Sequence, residues 1–324
     1  MRQGNPMRGV RAILVTGEYG KAEAACYMKA IFEASGQKTS LLSGGQDRYD
    51  SSVEHFFAAL ARVKQEKPAL VVIEVSPSLE ALDVVSMLDI DSVVAVTADQ
   101  HAEALLALNP DHLISPIDLT VASDITTPYQ RISFGEDKLA DAKVDKVTLY
   151  KKGLELNLTI DHQTKLEIAS HLTGFVAAQA LTAAIAAAYV RNIELGLMQE
   201  AIADMEPLRT SFKLQSLDRP YSVFTDGATS REAMALSVKS AKELTKRRLI
   251  VAVSEPIDPD ISSELAKIGS RLFVVSDKAS HSNIDSVGSV QEAYELATRT
   301  ARLGDSVLLL GDAFLDVVAS DAGV

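Results

Sequence analysis

Short apolar runs bounded by polar or turn residues recur through the first half of the chain, at Ala12–Thr16, Thr39–Leu42, Ala69–Val75 and Ser92–Thr97. Each has the length and continuity of a strand buried on both faces. Between them, apolar positions fall at helical spacing over Lys21–Ala34, Ser51–Val63 and Ser78–Leu88. Strands alternating with helices in this way predict a parallel, doubly wound sheet. The stretch Asn109–Ser133, broken by Pro110, Pro116 and Pro128, reads as irregular. Val144–Tyr150 and Leu154–Ile160 flank Lys151-Lys152-Gly153 as a hairpin, and Lys165–Ser170 extends it into a small antiparallel patch. Two helices follow, Gly174–Val190 and Leu197–Asp204. Beyond Pro220 a second alternating series begins, with strands at Ser222–Thr225, Leu249–Val253, Leu272–Val275 and Ser306–Leu310. Its helices are Ser230–Leu244, Ile261–Ile268 and Val290–Arg302. The expected class is α/β, with a mostly parallel sheet plus an antiparallel patch over residues 1–219 and a smaller α/β domain over 220–324.

Composition narrows the partners. The 324 residues carry a formal net charge of −12, which argues against nucleic acid, whose phosphates are met by Lys and Arg. With 47% hydrophobic residues and no Trp, the cores are built from Ala, Val, Leu and Ile, as suits parallel sheets. Cys26 is the one cysteine, so this sequence forms no internal disulfide and fits a reducing cytoplasm; its place in the first helix predicts a buried thiol. The first residues are too polar for a signal peptide. Phe175–Val190, interrupted by Gln179 and Thr182, falls short of a membrane span. The expectation is a cytoplasmic protein with no membrane or nucleic-acid partner.

The candidate chemistry begins where Arg11–Val15 runs into Thr16-Gly17-Glu18-Tyr19-Gly20-Lys21 ahead of a helix. Backbone N–H groups at such glycines and at a helix N-terminus cradle phosphates, and the lysine neutralises them. The next position normally supplies a Mg²⁺-binding hydroxyl; here it is Ala22. Glu18 and Glu23 also lie in the loop and the first turn. A carboxylate about 4 Å from a phosphate charge costs roughly 4 kcal/mol at an effective dielectric near 20, whereas at an empty helix N-terminus it stabilises by about 0.3–1 kcal/mol. A weak ATP site and a vacated one both satisfy this pattern. Glu74, ending the apolar run Val71-Val72-Ile73, is either an oxygen ligand for Mg²⁺ or a solvated strand tip. Asp226, ahead of Gly227-Ala228-Thr229-Ser230, either caps the following helix or binds a ribose hydroxyl.

In this order the pieces resemble the Mur ligase family, which includes folylpolyglutamate and poly-γ-glutamate synthetases. Thr16–Ala22 resembles the family's TGTNGKT loop, and Ile73–Leu79 its EVSSxxL strand end. Gly174–Ala188 is similar to the GxHNxxNxLAAIAAA helix, Leu208-Arg209 to a Gly-Arg ahead of the last domain, Asp226–Met234 to DYAHTPDAL, and Gly304–Gly311 to the closing GDxVLxxGKGHE. The resemblance covers nearly the whole chain from Val10 and corresponds to the family's central ATP-binding and C-terminal Rossmann-like domains; the sequence starts at the first of these, without the domain that holds a UDP-sugar precursor. It implies ATP and Mg²⁺ as cofactors and an ADP-forming joining of a carboxylate to an amine, the two substrates undefined, in cell-wall or polyglutamate-type biosynthesis. It further implies that Thr16, Gly17, Gly20, Lys21 and Asp226 bind nucleotide, that Glu74 holds the metal, and that Lys21, Glu74 and Arg209 are catalytic.

The departures from the pattern are equally specific. Ala22 replaces the hydroxyl ligand, no DHLD segment follows Val96-Thr97-Ala98-Asp99, and no counterpart of the carbamylated lysine is present. The family's His-Asn pair is Phe175-Val176, its next Asn is Gln179, DNPR is Asp277-Lys278-Ala279-Ser280, and the closing Lys and His are Asp312 and Phe314. They motivate an alternative, a catalytically degenerate relative acting as a non-enzymatic subunit or binding module for a protein partner. On either reading the phosphate loop and the acidic start of the second α/β series are expected to share one nucleotide cleft. His101, His112 and His171 have no metal-ligand spacing and read as surface or capping residues.

Overall fold

The computed structural model describes residues 9–43, 52–76, 84–98, 100–120, 129–203, 205–215, 218–276 and 284–322. The chain forms two compact units: the first takes in residues 1–147, 156–169 and 179–205, the second 148–155, 170–178 and 206–324.

The first unit is organised by β1 (Arg11–Thr16), α1 (Lys21–Ala34), β2 (Thr39–Leu42), α2 (Val53–Gln65), β3 (Leu70–Glu74), β4 (Asp89–Ala95), α3 (Gln100–Leu106), β5 (His112–Pro116) and β6 (Gln130–Gly135). Then come β7 (Ala142–Tyr150), β8 (Gly153–Ile160) and β9 (Thr164–Ser170), with helices α4 (Phe175–Tyr189) and α5 (Leu195–Ala203). Its nine strands run in the order β2-β3-β1-β4-β5-β6-β7-β8-β9. β1 lies parallel between β3 and β4, with Val15 opposite Glu74. The two-residue link between β7 and β8 permits only antiparallel pairing. The doubly wound sheet and its antiparallel patch are thus one continuous sheet. Leu14, Phe56, Leu60, Ile73, Val93 and Leu113 pack together in its core, the burial their apolar runs predict.

Three expectations are corrected. Asn109–Ser133 is not irregular throughout: His112–Pro116 and Gln130–Gly135 are paired strands. Their apolar runs are short, and Pro116 sits at a strand end, where its missing N–H is tolerated. His112 opens β5 half-buried, with its Nδ1 4.0 Å from Asp91 Oδ1; it is neither a surface nor a capping residue. The helix expected at Ser78–Leu88 falls mostly outside the described residues, and its described end, Val84–Met87, is a single 3₁₀ turn. The helix α3 was not anticipated.

The second unit contains β10 (Lys213–Leu214), β11 (Ser222–Asp226), α6 (Arg231–Glu243), β12 (Leu249–Val253), α7 (Pro259–Ile268), β13 (Arg271–Val275), β14 (Ile284–Val287), α8 (Val290–Thr300), β15 (Ser306–Leu310) and α9 (Ala313–Ala322). The sheet order is β10-β11-β15-β12-β13-β14, parallel except for the short β10. Phe224, Val251 and Leu308 face one apolar cluster, while Val223, Ile250 and Leu309 face another, so both sheet faces are covered. Ser230, Asp258 and Ser289 cap α6, α7 and α8 by accepting a backbone N–H. No helix among the described residues is long and apolar enough to cross a membrane.

Candidate active site

In the first unit, β1, β3 and β4 lie side by side and parallel, so the described residues that follow them leave the same carboxyl edge of the sheet, where ligands of such sheets collect. Thr16 is buried, and its carbonyl accepts the Val96 N–H at 2.8 Å. Gly17 follows at φ +143°. A Cβ on it would stand 3.0 Å from Thr97 Oγ1 and 3.2 Å from the Thr97 backbone nitrogen, so the turn presses against the end of β4 as only glycine can. Gly20 is left-handed, at φ 73°, and occupies the N-cap of α1. Having no side chain, it leaves the opening N–H groups of α1 without a cap from that position, the arrangement that receives anions. Gly17→Ala is therefore expected to cost about 1–3 kcal/mol of stability and to weaken nucleotide binding, read by urea unfolding and by titration on the same variant. Unchanged stability would show that the loop accommodates a methyl group.

The loop's own donors are engaged. Lys21 Nζ donates to the Gly17 carbonyl at 2.5 Å, and the Glu18 N–H donates to Thr97 Oγ1 at 2.9 Å. Tyr19 donates its hydroxyl to Gln179 Oε1 at 3.3 Å, while Gln179 Nε2 donates to the Val96 carbonyl at 2.7 Å. Gln179 thus ties α4 to both the loop and the end of β4. The sequence reading assigned no site role to Thr97 or Gln179. The available signal was a threonine just past a buried strand and a lone amide within an Ala-rich helix.

Glu74 ends β3 half-buried, where its Oε2 accepts the Ser43 hydroxyl at 2.8 Å. The Cys26 thiol is pushed up to about 11, first by burial and then by the charges of Glu23 and Glu74. The half-buried cysteine is consequently protonated and inert at neutral pH. Two carboxylates thus bear on the first turns of α1, next to the phosphate cradle. A polyphosphate would meet their repulsion unless a cation lay between. Among the described residues no group of three or more His, Cys, Asp and Glu could hold a metal. A cation here would rest on one or two carboxylates, water and phosphate oxygens, which is how Mg²⁺ is commonly held. The cradle and Lys21 fit a nucleotide's phosphates; Ala22 removes the usual hydroxyl ligand.

In the second unit, Asp226 ends β11 buried. Its Oδ1 accepts the Ala228 N–H at 3.1 Å, and its Oδ2 accepts the Ser237 hydroxyl. Asp226 therefore braces its own turn, and the cap of α6 falls to Ser230 instead. Gly227 donates its N–H to the Thr210 carbonyl at 2.8 Å, and a Cβ on Gly227 would overlap the Asp312 carboxylate. Arg209 is exposed and pairs with exposed Asp316 at 2.5 Å, a contact weak enough to exchange partners. The structure brings Thr16, Gly17, Gly20, Lys21 and Glu74 together in the first unit and carries Arg209 and Asp226 on the second.

Fold and loop define an α/β protein with a glycine-built turn at the end of its first strand and a second parallel-sheet unit. Similar arrangements occur in MurF from Acinetobacter baumannii (TM-score 0.75, 14% identity, covering 98% of this chain and 78% of that one). They occur also in MurF ligase from Thermotoga maritima in complex with ADP (TM-score 0.74, 11% identity, 97% and 79%) and in folylpolyglutamate synthetase from Lactobacillus casei (TM-score 0.69, 18% identity, 99% and 92%). In sequence, the chain is 25% identical over 301 residues to UDP-N-acetylmuramoyl-L-alanyl-D-glutamate--2,6-diaminopimelate ligase of Clostridium botulinum, covering 83% of this chain and 62% of that protein. It is 26% identical over 369 residues to the ligase of the same name from Syntrophomonas wolfei, covering 95% and 74%. No profile of a known protein family matches the chain. In sequence and in fold the chain is thus similar to Mur ligases, and it spans less than two thirds of the Clostridium botulinum relative.

Proposed function

We propose that the chain is a cytoplasmic, ATP-dependent, ADP-forming ligase joining a carboxylate to an amine, of the cell-wall or polyglutamate-forming type. The observation that carries this reading is the glycine-built turn, whose Gly17 and Gly20 conformations aim the uncapped start of α1 at the place a phosphate would take. When bound, ATP supplies the phosphoryl group that activates the carboxylate. The opening N–H groups of α1, which Gly20 leaves uncapped, would bind its phosphates, and Lys21 would exchange its bond to the Gly17 carbonyl for a phosphate oxygen. Glu74 would hold Mg²⁺, Arg209 would steady the phosphoryl group after leaving Asp316, and Asp226 would take a ribose hydroxyl in place of its bond to Ser237. All of these act by positioning and charge neutralisation.

Mg-ATP at a hundred times its Kd should stabilise the protein by about 2.7 kcal/mol, seen as a rise in Tm. Lys21→Ala should abolish that rise together with phosphate release across a panel of amino acids and acceptors. Absence of any Mg-ATP effect on the wild type would defeat the reading. A second reading, a nucleotide-free binding module partnering another protein, is favoured by Ala22, by the carboxylates of Glu23 and Glu74, and by loop donors already engaged within the chain. It predicts a Tm unmoved by Mg-ATP in wild type and Lys21→Ala alike.

A further inference from the structure

The turn between β7 and β8, the residues following β9 and the segment leading into β10 enclose a pocket of about 210 Å³, lined in part by Lys151, Lys152, His171, Thr173, Glu206 and Lys213. All of these residues belong to the second unit, whereas the phosphate loop belongs to the first. Acidic residues outnumber basic ones 44 to 32 along the chain, yet here three lysines face one glutamate. Lys151 donates to Ser222 Oγ at 2.7 Å. Among the described residues, the side chains of Lys152, His171 and Lys213 make no hydrogen bond or ion pair, and the Glu206 carboxylate pairs with none of the three lysines. Gathering three ammonium groups around a hollow with a single carboxylate is unfavourable through mutual repulsion, and an anion among them offsets that energy.

We propose that this pocket binds a small phosphorylated anion of about diphosphate size. Lysine meets phosphate as a compact point charge with three rotatable donors, whereas planar carboxylates favour the fork of arginine; among the described residues no arginine lines this pocket. Its volume of about 210 Å³ is below the ~300–1,000 Å³ of sites for drug-sized ligands, which suits a group of pyrophosphate size. Lys213 is the half-buried member of the set. Burial, and then the charge of neighbouring Arg209, lower its pKa; both penalise an uncompensated ammonium, and an anion beside it would offset them. Buried Thr173 holds the floor in place by donating its hydroxyl to the Tyr150 carbonyl at 2.7 Å.

The test is calorimetric titration of the full chain with inorganic pyrophosphate at low salt, without nucleotide. Wild type should bind. Lys213→Gln and, separately, Lys152→Gln should each weaken binding by about tenfold, the loss expected for one charged hydrogen bond. Lys21→Ala should leave it unchanged, which separates this pocket from the proposed nucleotide site whether or not that site binds ATP. Lys152 is exposed, so its variant keeps the fold even if Lys213→Gln does not. No binding by wild type, binding indifferent to the pocket lysines, or loss in Lys21→Ala would each overturn the assignment. Citrate binding as tightly as pyrophosphate would overturn the phosphate class.

Discussion

Asp91→Ala is expected to destabilise the first unit by about 3–5 kcal/mol, the cost of removing one partner from a buried ion pair. Asp91 is buried at the amino-terminal end of β4 and gathers two guanidinium charges and a hydroxyl. Arg191 donates to its Oδ1, Arg11 Nη1 approaches Oδ2 at 2.9 Å, and Ser92 donates its hydroxyl at 2.7 Å. His112 stands at 4.0 Å. Without the carboxylate, Arg191, which is only 17% exposed, keeps its charge in a poorly solvated place with no counter-ion. Arg11 loses less, being 40% exposed and also paired with Asp111, and such exposed pairs contribute little. Urea unfolding of wild type and Asp91→Ala measures the difference. A loss below about 1 kcal/mol would mean the cluster is effectively solvated.

The same residue sets an acid limit. Burial by itself raises the Asp91 pKa, but the bond from Ser92 and the bond and charge of Arg191, with the charge of Arg11, outweigh it and leave the carboxyl below its ordinary value. A depressed folded-state pKa contributes stability that is fully present above the unfolded value of about 3.9 and disappears as pH falls through the folded value. Wild type should therefore lose stability below about pH 4 more steeply than Asp91→Ala does, with parallel behaviour above that range.

In the second unit the largest expected loss comes from Phe224→Ala, at about 3–5 kcal/mol from the lost burial and the cavity left behind. Phe224 is fully buried and stacks on Phe212 with ring centroids 5.1 Å apart and planes 14° from parallel. Such pairs add about 0.5–1.5 kcal/mol beyond area burial. Phe212 also fills the space beside Gly174, where a Cβ would lie 3.2 Å from its ring, so the cavity cannot collapse by moving Phe212 alone. Because β11 carries Asp226 two residues later, the substitution should also loosen the Asp226–Ser237 contact. Phe224→Leu should lose clearly less. Equal urea midpoints for Phe224→Ala and wild type would show that the stacked pair is not a core element.

Much of the fold is legible because its strands are continuous apolar runs. β12 and β15 match their sequence expectations at Leu249–Val253 and Ser306–Leu310, and α1 begins at the lysine that follows Gly20. Runs of that kind exclude water on both faces, so periodicity identifies them without knowledge of their neighbours. The strand β5 offers few apolar residues between two prolines. It becomes a strand because β4 and β6 flank it and satisfy its backbone groups, which is a tertiary cause. The phosphate loop was visible for a similar reason to α1: its glycines and lysine are contiguous. Gln179 and Tyr19 are 160 positions apart in sequence, and no local pattern joins them.

What the sequence determined by itself is local: which segments are apolar enough to be buried strands, which turn demands glycine, and that the lysine at the start of α1 stands without a hydroxyl neighbour. Only the tertiary structure decided which polar groups meet. Asp226 braces its own turn, Thr97 holds the Glu18 N–H, and lysines from separate segments surround one hollow. Backbone preference and burial act over a few residues, whereas hydrogen-bond partners and electrostatic fields depend on which segments the sheets bring side by side.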